Sequence, residues 1–203
     1  MKTCVLVSGG MDSAVLLGET LRRGHTVHPL FVRCGLSWER VELYWLRRFL
    51  KAVRSPRLKP LTIVDVPVRD LYGPHWSTTG RDVPGYSSRN ETVYLPGRNI
   101  LLLSKAGIFC AFKGVHVLLM GLLKGNPFAD STPAFLRSME RTLRVGLGFS
   151  ISIRVPFRGL TKAQVLTRST GLPLHLTFSC IGPRGLQPCG HCNKCAERNK
   201  VLE

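Results

Sequence analysis

The sequence predicts an α/β fold: a parallel five-stranded sheet with helices on both faces, followed by a short C-terminal appendage. Three observations predict it. Apolar strand-like runs alternate with helix-period segments along most of the chain. A Gly-Gly turn joins the first run to the first helix, and from residue 176 onward clustered cysteines replace the alternation.

Thr3 to Val7 reads as a strand, and Ser13 to Arg23 as a helix with Val15, Leu16 and Leu21 on one face and Gly24 as its stop. His25 to Arg33 is a second strand. A helix follows through Trp38, Leu43, Trp45, Leu46 and Leu50, capped at or near Ser37, with Glu39 and Glu42 at its positive end. Leu61 to Val66 is the third strand. Tyr72 to Arg89, rich in Gly, Pro, Ser and Thr, reads as a long loop, the kind that serves as a lid or binding loop. Asn99 to Phe112 is helical, Val115 to Met120 a fourth strand, Thr132 to Val145 helical, Ile151 to Val155 a fifth strand and Thr161 to Thr170 a short helix. The repetition implies a parallel sheet covered on both faces. No internal repeat or low-complexity linker interrupts it. Two parts are expected: an α/β domain over 1–175 and a tail over 176–203.

A chain of 203 residues with 44% hydrophobic content can bury a core of its own. The longest apolar run, Val115 to Leu123, is broken by His116 and is too short for a bilayer, so no membrane partner is expected. The N-terminus enters the first motif without the pattern of a secretory signal, which predicts a cytoplasmic protein. Lys and Arg outnumber Asp and Glu 29 to 12, for a formal charge of +17, which makes phosphorylated ligands or polyanions natural partners. The cations are scattered rather than gathered into a basic tail.

The stretch LVSGGMDSAVLL, positions 6 to 17, carries the first chemical signal. Gly9 and Gly10 let the backbone turn sharply and approach a ligand, so that successive N–H groups and the helix dipole can hold phosphate. A Walker A loop would carry a lysine; this turn has none. Asp12 would repel a triphosphate unless it takes up Mg2+ or orients the loop, and Ser8 and Ser13 offer hydroxyls to phosphate oxygens. A turn of this kind suits cleavage of ATP to AMP and pyrophosphate. The plain alternative is an ordinary strand-to-helix turn built from small residues.

The second signal is Cys180, Cys189, Cys192 and Cys195, spaced C-x8-C-x2-C-x2-C. Two-residue gaps let neighbouring thiolates converge on one ion, and Gly190 eases the turn between them. Four sulfur ligands on Zn2+ leave no open position, so the site would be structural and would clamp a tail with little core of its own. An iron–sulfur cluster uses similar spacing and stays open. His191 reads as a solvated loop residue. Cys4, Cys34 and Cys110 read as small core residues.

The motif S-G-G-M-D-S resembles the PP-loop of the ATP pyrophosphatase superfamily, which implies an adenine nucleotide alpha hydrolase-like fold and activation through an adenylate. The loop together with the cysteine tail resembles the 7-cyano-7-deazaguanine synthase family. Y-L-P-G-R-N at Tyr94 to Asn99, L-T-K-A-Q-V at Leu160 to Val165 and F-S-C ending at Cys180 extend that resemblance over Ser8 to Arg198. It implies that the four cysteines bind zinc. It also implies that ATP activates the carboxylate of 7-carboxy-7-deazaguanine for attack by ammonia, and that a second activation dehydrates the amide to the nitrile. Asp12, Ser13, Arg98 and Lys162 are then the expected catalytic residues. Ser8, Gly9, Gly10, Asp12, Ser13, Arg98 and Asn99 would hold the nucleotide, with Lys162 offsetting charge on departing pyrophosphate.

The chain departs from that family where the base or carboxylate would be read. A segment like S-G-Y-P-D-C-R-P-E-F becomes Asn126 to Phe135, NPFADSTPAF, which keeps Asp130, Pro133 and Phe135 but loses a cysteine, an arginine and a glutamate. The usual Gln-Arg-His region after the second strand is Arg33 to Glu39, RCGLSWE. Asp130 is the expected substrate contact, accepting guanine-like N–H donors; otherwise it caps a helix ahead of Thr132. A divergent relative that stops at the amide, or joins the acid to a protein or other amine, is the alternative. A tRNA sulfur-transfer enzyme with Cys34 as carrier, or a zinc-stapled nucleic-acid module, fits parts of the pattern. A homodimer stays open.

Overall fold

The computed structural model describes residues 1–201. Its sheet is built from β1 (Lys2–Leu6), β2 (Thr26–Arg33), β3 (Thr62–Asp65), β4 (Val117–Leu119) and β5 (Ser152–Arg154). All pairings are parallel, in the spatial order β3-β2-β1-β4-β5, and Lys2 faces Thr26 across the first pair. The helices are α1 (Met11–Arg22), α2 (Glu39–Ala52), α3 (Arg69–Tyr72), α4 (Trp76–Thr79), α5 (Arg98–Lys113), α6 (Pro133–Leu147), α7 (Lys162–Leu166) and α8 (Asn193–Asn199).

Alternate strand residues divide the core in two. Val5, Val7, Val27, Phe31, Val117 and Leu119 pack against Val15 and Leu17 of α1, Leu46 and Phe49 of α2, and Val165 of α7. Cys4, Leu6, Leu30, Val32, Leu118 and Met120 face the other way, onto Leu103, Ala106 and Cys110 of α5 and Leu136 and Leu143 of α6. Strands covered on both faces must be apolar at successive positions, and this is why the inner strands β1 and β4 read as near-continuous runs. Cys4, Cys34 and Cys110 are fully buried among these residues, as small core side chains. Among the described residues no helix is long and apolar enough to cross a membrane.

Strand order reverses between β1 and β4, and a crevice opens at their carboxyl ends. Gly121, just past β4, sets its width: a Cβ there would stand 3.4 Å from the Asp12 carbonyl carbon and the Ser13 nitrogen.

Two expectations fail locally. Ser37 does not cap α2: the residue before the helix is Trp38, already in helical conformation and with no side-chain capping bond, while the Ser37 N–H donates to the Ser77 carbonyl (2.9 Å). Instead the buried Glu39 carboxylate accepts the N–H groups of Cys34 (2.8 Å), Gly35 (2.8 Å) and Leu36 (3.1 Å), closing the turn that leads into the helix. The expected loop Tyr72 to Arg89 contains α4, which the His75 ring caps from Ser77 N (3.4 Å), and Trp76 stacks on Trp38 at 5.7 Å. A single turn is too short to show periodicity; stacking onto α2 holds it in place.

The tail packs along this same edge. Phe178 N–H donates to the Gly9 carbonyl (2.8 Å), Trp45 Nε1 to Leu186 O (2.9 Å), and Asn193 N–H to Pro84 O (2.9 Å). Cys180, Ile181, Cys192 and Cys195 join the α5–α6 side of the core.

Candidate functional site

The turn between β1 and α1 is fixed by its own hydroxyls. Ser8 N–H donates to Ser13 Oγ (3.2 Å), Ser13 Oγ donates to the Gly10 carbonyl (3.0 Å), and Gly10 N–H donates to Ser8 Oγ (3.3 Å). Gly9 has φ +79°, and a Cβ there would meet the Glu42 carbonyl oxygen at 2.9 Å, so only glycine fits. The first intrahelical bond is Ala14 N–H to Gly10 O (3.1 Å), which leaves the N–H groups of Met11, Asp12 and Ser13 as the free donors of the helix start. Ser8 is exposed; Ser13 is buried and its proton is committed to Gly10, so it braces the turn.

Asp12 and Ser13 line a cavity of about 320 Å³, and Met11 the space beside it; the cavity's apolar wall includes Leu6, Phe31, Val32, Leu102 and Met120 and its polar wall Glu42, Arg98, Asn99, Asp130 and Lys194. Arg98, Asn99, Asp12 and Ser13, separated by more than eighty positions in sequence, thus meet around one space. Arg98 stands at the first position of α5, after Gly97 in the left-handed conformation, and its Nε is buried without a partner. Asp12 Oδ1 and Glu42 Oε2 are likewise buried and unpartnered. Burial pushes the Asp12 carboxyl up, against the pull of Lys162. Burial drives the fully enclosed Glu42 carboxyl up to about 8, although Arg98 opposes it.

Lys162 leaves the solvated helix face that a capping-region lysine would occupy. Its side chain is 13% exposed, with Nζ 3.7 Å from Asp12 Oδ2 and 2.8 Å from Glu197 Oε1. Glu197 Oε2 in turn takes Lys194 Nζ at 2.7 Å. Burial alone would raise Glu197; the two lysines hold its carboxyl down to about 2. Glu42, Lys194 and Glu197 are the members of the site that sequence reasoning missed. Only position within the tail motif, two residues after the third cysteine, could have pointed to Lys194.

Asn99 and Asp130 bind each other. The Asn99 N–H donates to Asp130 Oδ2 (3.1 Å), and Asn99 Nδ2 donates to Asp130 O (3.0 Å) and Oδ1 (3.3 Å). The amide hydrogens expected on the nucleotide are therefore used in holding Asp130, which is 6% exposed. Thr132 caps α6, accepting from Phe135 N–H (3.3 Å), so Asp130 is no helix cap. Cys34 is buried and its thiol is pushed up by burial, against the pull of Arg98.

The four tail cysteines form one cluster, every sulfur within 4.8 Å of every other. Cys180 and Cys189 are 3.5 Å apart, Cys180 and Cys192 3.8 Å, and Cys189 and Cys195 3.9 Å. A tetrahedron with metal–sulfur bonds of about 2.3 Å has edges of about 3.8 Å, so the donor set fits a single ion. The N–H groups of Gly182 (3.4 Å) and Cys189 (3.3 Å) point at Cys180 Sγ, as second-sphere donors do toward a thiolate. His191 is exposed and turns to Arg184, outside this set.

A family model described as "Queuosine biosynthesis protein QueC" matches residues 2–203. The chain is 31% identical over 207 residues to 7-cyano-7-deazaguanine synthase 1 of Desulfitobacterium hafniense (strain Y51), covering 100% of this chain and 91% of that one. It is 29% identical over 214 residues to the 7-cyano-7-deazaguanine synthase of Leptospira interrogans, covering 100% and 86%. Among solved structures, a 4-thiouridine synthetase–RNA complex with bound ATP superposes with a TM-score of 0.55 at 17% identity, over 99% of this chain and 49% of that one, which is a likeness of fold.

Proposed function

We propose that this chain, which belongs to the queuosine biosynthesis protein QueC family, is an ATP-dependent carbon–nitrogen ligase that converts 7-carboxy-7-deazaguanine and ammonia into 7-cyano-7-deazaguanine. The observation that carries the reading is one crevice in which a lysine-free glycine turn with open N–H donors meets Arg98, whose Nε is buried without a partner, and, in the adjoining space, the Asp12–Lys162 pair.

The substrate carboxylate oxygen attacks the α-phosphorus of ATP and releases pyrophosphate, giving an acyl-adenylate. Ammonia displaces AMP to give the amide. The amide oxygen then attacks the α-phosphorus of a second ATP with release of pyrophosphate, and loss of AMP together with the two N–H protons of the former amide leaves the nitrile. In this scheme the N–H groups of Met11, Asp12 and Ser13, with the Ser8 hydroxyl, hold the leaving pyrophosphate, and Arg98 faces the charge developing at the α-phosphate. Lys162 neutralises departing charge. The unpartnered Asp12 oxygen suits Mg2+, which would supply charge neutralisation between phosphates. Asp130, fixed by Asn99, keeps lone pairs for N–H donors of the base. The enzyme's work is chiefly positioning and electrostatics.

Zn2+ suits the cysteine cluster because the sulfurs converge on one point, with room for an ion rather than a cubane, and its role there is structural. A carrier role for Cys34 in sulfur transfer is not supported, since its thiol is enclosed and raised. Incubation with ATP, Mg2+, ammonium and 7-carboxy-7-deazaguanine, read by mass spectrometry, tests the proposal. Nitrile with AMP is the expected result. Amide alone would move the reading to the truncated reaction, and absence of any product would overturn it.

A further inference from the structure

We propose that Lys194 is a phosphate-binding residue of the nucleotide site and that the four-cysteine centre holds it there, which makes the metal-clamped tail a working part of the active site. The inference rests on the nucleotide reading above. It begins from a gap: the β1–α1 turn lacks the lysine that a Walker-type loop carries within its own sequence. Two lysines reach the crevice from elsewhere. Lys162 comes from the first turn of α7, and Lys194 from the first turn of α8.

Lys194 borders the main cavity beside Gly10, Asp12 and Arg98. It also borders both adjoining spaces, of about 200 and 360 Å³, that continue the crevice past Lys162 and Glu197. Glu197 bridges the two ammonium groups at 2.7 and 2.8 Å, so charges alternate from Asp12 through Lys162 and Glu197 to Lys194. This chain of ion pairs keeps both lysines poised at the rim without a phosphate present. A polyphosphate entering beside the turn would find two cations already held close together by one shared carboxylate.

The metal enters through geometry. Cys192 immediately precedes α8 and Cys195 lies within it, so Lys194 sits between two members of the sulfur cluster. At seven residues, α8 is well under the length of about 12 at which a helix persists unaided. Its C-terminal part is tied by Arg198, which donates to Thr177 Oγ1 at 2.9 Å, and by the Lys162–Glu197 pair, whereas its first turn, which carries Lys194, is tied by the sulfur cluster and by Asn193, which donates to Ser88 O at 2.7 Å. Loss of the ion therefore releases the turn that carries Lys194.

The test measures ATP–Mg2+ binding to the full chain by calorimetry, with metal content by elemental mass spectrometry and thermal midpoint alongside. Lys194→Ala and Lys194→Gln are expected to keep their metal and their midpoint while the Kd for ATP rises by about tenfold to a hundredfold. Lys194→Arg should recover part of the loss. Cys195→Ser should lose metal and weaken ATP binding to a similar degree, and adding Lys194→Ala to it should cost little more, because both changes remove one contact. ATP affinity within about twofold of wild type in metal-replete Lys194→Ala would overturn the inference and leave the nucleotide reading standing. No ATP binding by the unaltered chain would overturn both.

Discussion

Replacing Gly9 by alanine probes the turn at the point where sequence and geometry constrain it most. Two penalties act together. An L-residue in the left-handed region that Gly9 occupies, at φ +79°, costs about 1–2 kcal/mol. The new methyl would lie 2.9 Å from the Glu42 carbonyl oxygen. That neighbour is main chain in the first turn of α2, so no rotamer change relieves the contact, and overpacking of this kind costs about 1–3 kcal/mol. The sum, about 2–5 kcal/mol, corresponds to a fall in thermal midpoint of roughly 4–20 °C for a chain of this size. Gly10→Ala is the internal control. Gly10 has φ −74° and its added Cβ meets only the rotatable Ser8 hydroxyl at 3.3 Å, with other atoms at 3.9 Å. Its stability should stay within about 1 kcal/mol of wild type. Calorimetric melting of the two variants checks the contrast. Equal midpoints for Gly9→Ala and Gly10→Ala would refute the claim that the turn is fixed by backbone contact with α2.

Asp12→Asn should lower turnover by about a hundredfold or more while far-UV dichroism and melting stay near wild type; an unfolded variant would place Asp12 among structural residues instead. Glu42 has a folded pKa of about 8 against an ordinary 4.5. The folded chain therefore binds the proton more tightly, and this group's contribution to stability is full below about pH 4.5 and falls as pH rises toward 8, by up to about 1.4 kcal/mol per pH unit. Glu42→Gln should flatten that slope in urea titrations between pH 5 and 8, and an unchanged slope would mean the carboxyl is ionised at neutral pH. Cys192→Ser should purify without metal and lose protection of the tail in hydrogen exchange; full metal content would remove Cys192 from the ligand set.

What was legible in the sequence was whatever the chain encodes locally. The inner strands declare themselves because each must be apolar on two faces. The turn at Ser8 to Ser13 declares itself because positive φ and close approach both demand glycine, and the cysteine cluster because three of its four members fall within seven residues. What was illegible depends on contacts far apart in sequence. Lys162 and Glu197 are 35 positions apart and each alone reads as a solvated surface charge. Glu39 and Glu42 misled for a different reason. Acids in a helix's first turn suit the dipole wherever they stand, and nothing local says that one closes the preceding turn and the other is sealed behind Gly9.

The departures in the substrate segment acquire a physical reading from the same contrast. Between Asn126 and Phe135 the polar residues now serve the segment itself. Asn126 Oδ1 accepts from Phe128 N–H and from Ser131 Oγ, each at 3.0 Å, and the Arg158 guanidinium donates to the Ser131 carbonyl. Phe128 stacks on Tyr94 at 4.9 Å, which puts an aromatic pair on the wall of the cavity beside Asp130. A carboxylate held by Asn99 next to a flat apolar surface is what a planar, N–H-bearing heterocycle requires, and it survives the loss of the other three side chains. The retained group is thus the one that the proposed reaction would use to read the base. The exchanged ones lie in the turn that carries it, where a different set of internal hydrogen bonds can hold the same backbone.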